Sequence, residues 1–287
     1  MIVESVISVP NRHGDAINTT LTLPLPDSVE HAPLMLILHG HKGFRNYGFL
    51  PWIAQGAAEG GMIALRMCFS LNGMDNTAWT VQKPEDFARN TLTREVDDVH
   101  DVLSAIRHDD AFATLRNRWN GQLVIVGHSR GGGIALVAGG ELVRDDATLN
   151  DRLRVIGLNS VGNWTRWTPR QALVWKAAGH VDIVNQRTGQ TIRIDASFVE
   201  DLEQNAERLS LATAVERLDT RLLFVHAAQD LTVPVDEIHR LSMLAPSGQQ
   251  LRIVENTTHT FGMTHPVERI TAGLHETFTA MMEWIRS

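Results

Sequence analysis

Short runs that are apolar at nearly every position alternate along this chain with longer segments whose apolar residues recur every three or four positions. The first kind comprises LMLILHG (34–40), MIALRMCFS (62–70), QLVIVGH (122–128), RVIGLNS (154–160), RLLFVHA (221–227) and LRIVENT (251–257). Runs of this length, without a polar face, predict strands buried on both sides, as in a parallel sheet. Of the second kind, Leu92, Val96, Val99, Leu103 and Ile106 share one helical face. Ile134, Leu136, Val137 and Ala138 predict another helix, and Leu274, Phe278, Met281, Met282 and Ile285 a closing one. The alternation predicts an α/β fold with a mostly parallel central sheet and helices on both faces.

Two stretches depart from this rhythm. Residues 2–9 and 16–25 alternate apolar with polar around the turn signal NRHGD, which predicts an antiparallel hairpin at the sheet edge. About sixty residues separate Ser160 from Arg221, far more than a strand–helix–strand connection needs. That interval holds Trp164, Trp167 and Trp175, three of the chain's seven tryptophans, and VDIVNQRTGQTIRI, two alternating strands around a Thr-Gly turn. We read 1–287 as a single domain with a small inserted cap at about 162–210.

Composition narrows the function classes. With 287 residues, 43% of them hydrophobic and 21% charged, the chain has ample material for one buried core. A formal net charge of -7 with no dominant basic patch argues against a nucleic-acid partner. No apolar run approaches the ~18 residues of a membrane span, and the first residues carry no signal-peptide pattern, so a cytoplasmic location is expected. The single cysteine, Cys68, lies in an apolar run and reads as a small buried hydrophobe rather than a catalytic thiol.

The strongest chemical signal is Gly127-His128-Ser129-Arg130-Gly131, which joins the strand LVIV to a helix start. A sharp strand-to-helix turn of this kind holds a serine in a strained conformation with its hydroxyl exposed. Glycines two residues to either side are needed where strand and helix nearly touch. A serine needs a base to take its proton and an acid to orient that base. Asp230, in HAAQDLTVP, and His259, in ENTTHTFG, both follow later strands, where the catalytic groups of an open parallel sheet collect. The plainer alternatives are His265 as base, Asp236 or Glu237 as acid, and Asp230 as the cap of a helix starting near Pro234. Asp236 and Glu237 are expected to face solvent.

An oxyanion requires two N–H donors. One is expected from Arg130, and the other from His41, or from Lys42, in the loop His39-Gly40-His41-Lys42-Gly43-Phe44. Phe44, Trp164, Trp167 and Trp175 are candidates for lining a substrate pocket. His39, His41, His226 and His259 approach one sheet edge, but no H-E-x-x-H or Cys/His spacing is present, so no metal is expected. G-x-G-x-x-G is absent too, and no cofactor is expected.

HGHKGF (39–44), RMCFSLNG (66–73), GHSRGGG (127–133) and the element from Asn185 to Gln190 together resemble the α/β-hydrolase superfamily. Within it they resemble a bacterial serine esterase-like branch related to dienelactone hydrolases and feruloyl esterases. The resemblance implies the α/β-hydrolase fold, a Ser129–His259–Asp230 triad and a small-molecule ester substrate. Dienelactone hydrolases proper use a cysteine where Ser129 stands, so their reaction is not carried over. His41 occupies a place where many relatives have an apolar or aromatic residue. The same triad also serves acyltransferases, peptidases and slow-turnover ligand receptors, and these remain the rival readings.

Overall fold

The computed structural model describes residues 3–24, 30–74, 80–149, 151–186, 188–248 and 250–287. Ile2 and Leu25, at the outer ends of the expected hairpin, and Arg187 of the 185–190 element lie outside the described residues.

The chain opens with β1 (Val3–Pro10) and β2 (Ala16–Leu23), paired antiparallel. Asn11 makes the turn between them: its Oδ1 accepts from the N–H groups of His13 and Asp15 at 3.0 and 2.9 Å. Then follow β3 (Ala32–Leu38), α1 (Leu50–Glu59), β4 (Ile63–Met67), α2 (Pro84–Ala88), α3 (Leu92–His108), α4 (Ala113–Arg118) and β5 (Trp119–His128). The chain continues through α5 (Arg130–Asp145), β6 (Leu153–Leu158), α6 (Pro169–Ala178), β7 (His180–Val184), β8 (Thr191–Asp195), α7 (Ser197–Gln204) and α8 (Leu211–Leu218). It ends with β9 (Leu222–Ala227), α9 (Val235–Ser242), β10 (Leu251–Val254) and α10 (Ala272–Arg286).

Eight strands form one sheet in the order β1-β2-β4-β3-β5-β6-β9-β10. From β4 to β10 all neighbours run parallel, and β2 alone runs against the others, paired antiparallel with both β1 and β4. Because successive side chains of a strand point to opposite faces, the uniformly apolar runs feed two cores. Leu34, Leu36 and Leu38 of β3 join Val96, Val99 and Ile106 of α3 and Ile134 and Leu136 of α5 on one face. Met35 and Ile37 join Ile53 and Ala57 of α1 and Leu274 and Met281 of α10 on the other. Burying each large side chain stabilises the fold by roughly 1.5–3 kcal/mol, which accounts for strands without a polar face.

Between β6 and α8 the chain leaves the main sheet. There β7 and β8 pair antiparallel as a separate two-stranded sheet. Ala172 and Trp175 of α6 and Val199 of α7, with Ala196, make a small apolar cluster of their own. Helix α6 is fixed by a reciprocal cap: the Thr168 hydroxyl accepts from the Gln171 N–H, and the Gln171 side chain accepts from the Thr168 N–H. Among the described residues no helix is long and apolar enough to cross a membrane.

Candidate active site

Strand β5 ends at His128 and α5 begins at Arg130, which leaves Ser129 to make the whole turn. Its backbone adopts φ 54° and ψ −120°, a region that costs a non-glycine residue about 1–3 kcal/mol and persists only where the surroundings enforce it. Here the Ser129 N–H donates to Leu158 O at 2.9 Å, and its carbonyl accepts from Gly132 and Val161 at 3.0 and 3.1 Å. Serine at the head of a helix ordinarily caps it, yet Ser129 makes no side-chain cap bond. The hydroxyl is free to turn the other way.

The flanking glycines are required by contact. A Cβ on Gly127 would lie 2.1 Å from Gly131 O, and one on Gly131 would lie 2.3 Å from His39 O. Both obstacles are backbone atoms, so neither can rotate aside. Gly127→Ala is therefore expected to destabilise the fold by more than about 3 kcal/mol, seen as lost soluble yield or a collapsed thermal midpoint. A variant melting like wild type would contradict this account of the turn.

Ser129 Oγ donates to His259 Nε2 at 3.0 Å, and His259 Nδ1 donates to Asp230 Oδ2 at 2.7 Å. The Asp230 side chain is wholly buried. Burial opposes its ionisation, but the hydrogen bond from His259, with two backbone N–H groups, holds the carboxyl below its ordinary range. Those N–H groups belong to Thr232 and Val233, 2.8 and 2.9 Å from Oδ1. Each carboxylate oxygen thus has its own task. Helix α9 starts after Pro234 without a side-chain cap bond, so Asp230 shapes the approach to that helix without capping it.

Two residues that the sequence reading passed over hold His259 in place. Its carbonyl accepts from His128 Nε2 at 2.9 Å and from Asn159 Nδ2 at 2.8 Å. Asn159 Oδ1 in turn accepts from the Ala227 N–H at 2.7 Å, tying the histidine loop to β6 and β9. Both residues are polar positions at the ends of apolar strands, and that signal was open to notice.

His128 is pushed down to about 3 by burial, and secondarily by the adjacent His259. An unfolded histidine titrates near 6.5, so below that pH the unfolded chain takes up a proton that folded His128 refuses. Its contribution to stability is complete above 6.5 and is lost as pH falls toward 3. The stability gap between wild type and His128→Asn should narrow by up to ~1.4 kcal/mol per pH unit below 6.5, read by urea unfolding at several pH values. A gap independent of pH would contradict a neutral buried imidazole.

The loop after β3 runs directly over the serine: a Cβ on Gly40 would lie 3.0 Å from Ser129 Cβ. His39 braces it. Its Nε2 accepts from the Phe69 N–H at 3.2 Å, so Nδ1 carries the proton and donates to Gly40 O at 2.9 Å. Burial holds this imidazole neutral, down at about 4. Asn72 Nδ2 donates to Gly43 O at 3.3 Å. The HGHKGF and RMCFSLNG stretches are therefore two halves of one brace.

Ser129, His41 and Arg130 open onto a cavity of about 670 Å³ lined also by Trp164, Trp167, Trp175 and Phe198. The indole N–H of Trp164 donates to Leu209 O at 2.7 Å and that of Trp175 to Ile194 O at 2.9 Å, which leaves the ring faces of these two for apolar contact.

Phe44 corrects the expectation. It is 1% exposed and packs edge-on against Tyr47 and His265, with centroids 5.8 and 5.3 Å apart, and it does not line this cavity. Beyond Gly43 the chain turns inward, and the Arg45 N–H donates to the buried Cys68 Sγ. His265 likewise accepts from the Gly48 N–H and sits with Phe44 and Tyr47. Glu237 is a second correction. Instead of facing solvent, it accepts from the N–H groups of Gly162 and Asn163 and forms a bidentate pair with Arg166. Asp236 is exposed. Among the described residues no group of three or more His, Cys, Asp or Glu could hold a metal ion.

No protein-family model matches the chain, and no curated protein matches it. Solved structures do. Est1E from Butyrivibrio proteoclasticus is 17% identical with a TM-score of 0.66, over 98% of this chain and 99% of that one. The α/β-hydrolase GrgF from a Penicillium species is 13% identical with a TM-score of 0.66, over 99% and 98%. A dienelactone hydrolase from Anabaena variabilis is 14% identical with a TM-score of 0.61, over 99% and 97%. These likenesses span the whole chain and show that it has the α/β-hydrolase fold.

Proposed function

We propose that the protein is a serine hydrolase that cleaves carboxylic esters of small molecules through an acyl-enzyme. The observation that carries this reading is the unbroken row from Ser129 Oγ through His259 to the buried Asp230, at 3.0 and 2.7 Å, opening on the cavity. His259 takes the Ser129 proton as Oγ attacks the ester carbonyl. The negative charge on the carbonyl oxygen rests on the backbone N–H groups of Arg130 and His41. His259 then protonates the departing alcohol, and water cleaves the acyl-enzyme by the same route. Asp230 fixes the imidazole tautomer and offsets the charge that forms on the ring. Residues 162–210 act as a cap that supplies the tryptophan wall, and a cytoplasmic location belongs to the same reading.

The test is hydrolysis of p-nitrophenyl acetate, butyrate and octanoate. Saturable turnover of at least one of them, well above the buffer rate, is expected. Binding without turnover of any of the three would favour a ligand receptor on the same fold.

A further inference from the structure

The cavity that opens on Ser129 carries three arginines, Arg130, Arg166 and Arg170, and among the described residues no aspartate or glutamate lines it. In a chain of formal net charge -7, a wall with cations and no acids is a local inversion of the general balance. The three guanidinium groups differ in how they are neutralised. Arg130 donates to Glu95 Oε1 at 2.6 Å, with Glu95 fully buried behind it in α3. Arg166 is matched by both oxygens of Glu237 at 2.7 and 2.8 Å. Arg170 is exposed, and no acid among the described residues pairs with it. Two charges are thus cancelled from behind the wall, and one remains at the cavity. Arg170 and Gln171 stand in the first turn of α6, where the helix dipole adds to the positive potential.

From these observations we propose that the site selects esters bearing a free carboxylate remote from the scissile carbonyl, with Arg170 as the residue that receives it. The inference rests on the ester-hydrolase reading above. The tryptophans and Phe198 accommodate an apolar segment between the two ends of such a molecule. A planar guanidinium offers two parallel donors to a carboxylate. A cationic ester meets an uncompensated cation and finds no acid on the wall.

The test compares three substrates at low and high salt: p-nitrophenyl hexanoate, mono-p-nitrophenyl adipate and 4-(butanoyloxy)benzoate. The second carries its carboxylate on the acyl part and the third on the leaving group, so together they show which half of the ester Arg170 meets. At least one anionic ester is expected to exceed the neutral one in kcat/KM by about fivefold or more, mainly through KM. The advantage should shrink at high salt, disappear in Arg170→Gln and reverse in Arg170→Glu. If the neutral ester is cleaved and neither anionic ester is preferred, or if the preference survives in Arg170→Gln, the inference fails and the hydrolase reading stands. If none of the three is cleaved, both fail.

Discussion

Ser129→Ala is expected to lower kcat on a p-nitrophenyl ester by about 10^6-fold while leaving the thermal midpoint nearly unchanged. The separation of the two effects follows from the geometry. The Ser129 side chain gives nothing to α5, which it does not cap, and among the described residues its one side-chain partner is His259. The strained turn is held by backbone bonds to Leu158, Gly132 and Val161 that alanine keeps. Removing Oγ therefore removes the atom that would form the acyl-enzyme and little else. Retention of more than a few per cent of wild-type kcat would show that another group performs the attack.

Asp230→Asn should cost about 10^4-fold in kcat, and the structure says why the amide cannot adapt. Oδ1 accepts from the N–H groups of Thr232 and Val233, so the amide oxygen must stay there. The amide nitrogen then takes the place of Oδ2, facing His259 Nδ1 at the present 2.7 Å. Two donors cannot share that contact, so His259 loses its Nδ1 proton and carries it on Nε2 instead. In that tautomer Nε2 cannot accept the Ser129 proton. Because the mutation also removes a negative charge beside the ring, the pH profile of the residual activity should differ from that of wild type. A variant with near wild-type kcat would mean that Asp230 does not orient the base.

The fold was legible in the sequence wherever burial on two faces left no room for polar positions. The run LMLIL reads as an interior strand, and β3 divides its side chains between the two cores. The turn at Ser129 was legible because Gly127 and Gly131 answer a steric demand that few other arrangements make. What was hidden depended on where the chain goes after a motif ends. Phe44 closes a motif that runs beside Ser129, yet the backbone turns inward there and buries the ring with Tyr47 and His265. Glu237 has the spacing of a solvent-facing helix residue, but the chain just after β6 passes over it and uses its carboxylate. His128 and Asn159 stand out in the sequence as polar positions at apolar strand ends, but what they hold was hidden for a different reason. Their partner is the backbone carbonyl of His259, and a side chain that holds a main-chain atom leaves no pairing pattern among residue types.

The most direct measurement of the central claim is intact-protein and peptide mass spectrometry after brief exposure to a fluorophosphonate probe. The account predicts a single adduct, located on Ser129, that is absent from Ser129→Ala and formed slowly in Asp230→Asn. A fully folded wild-type protein that takes up no probe, or that takes it up at another residue, would contradict it.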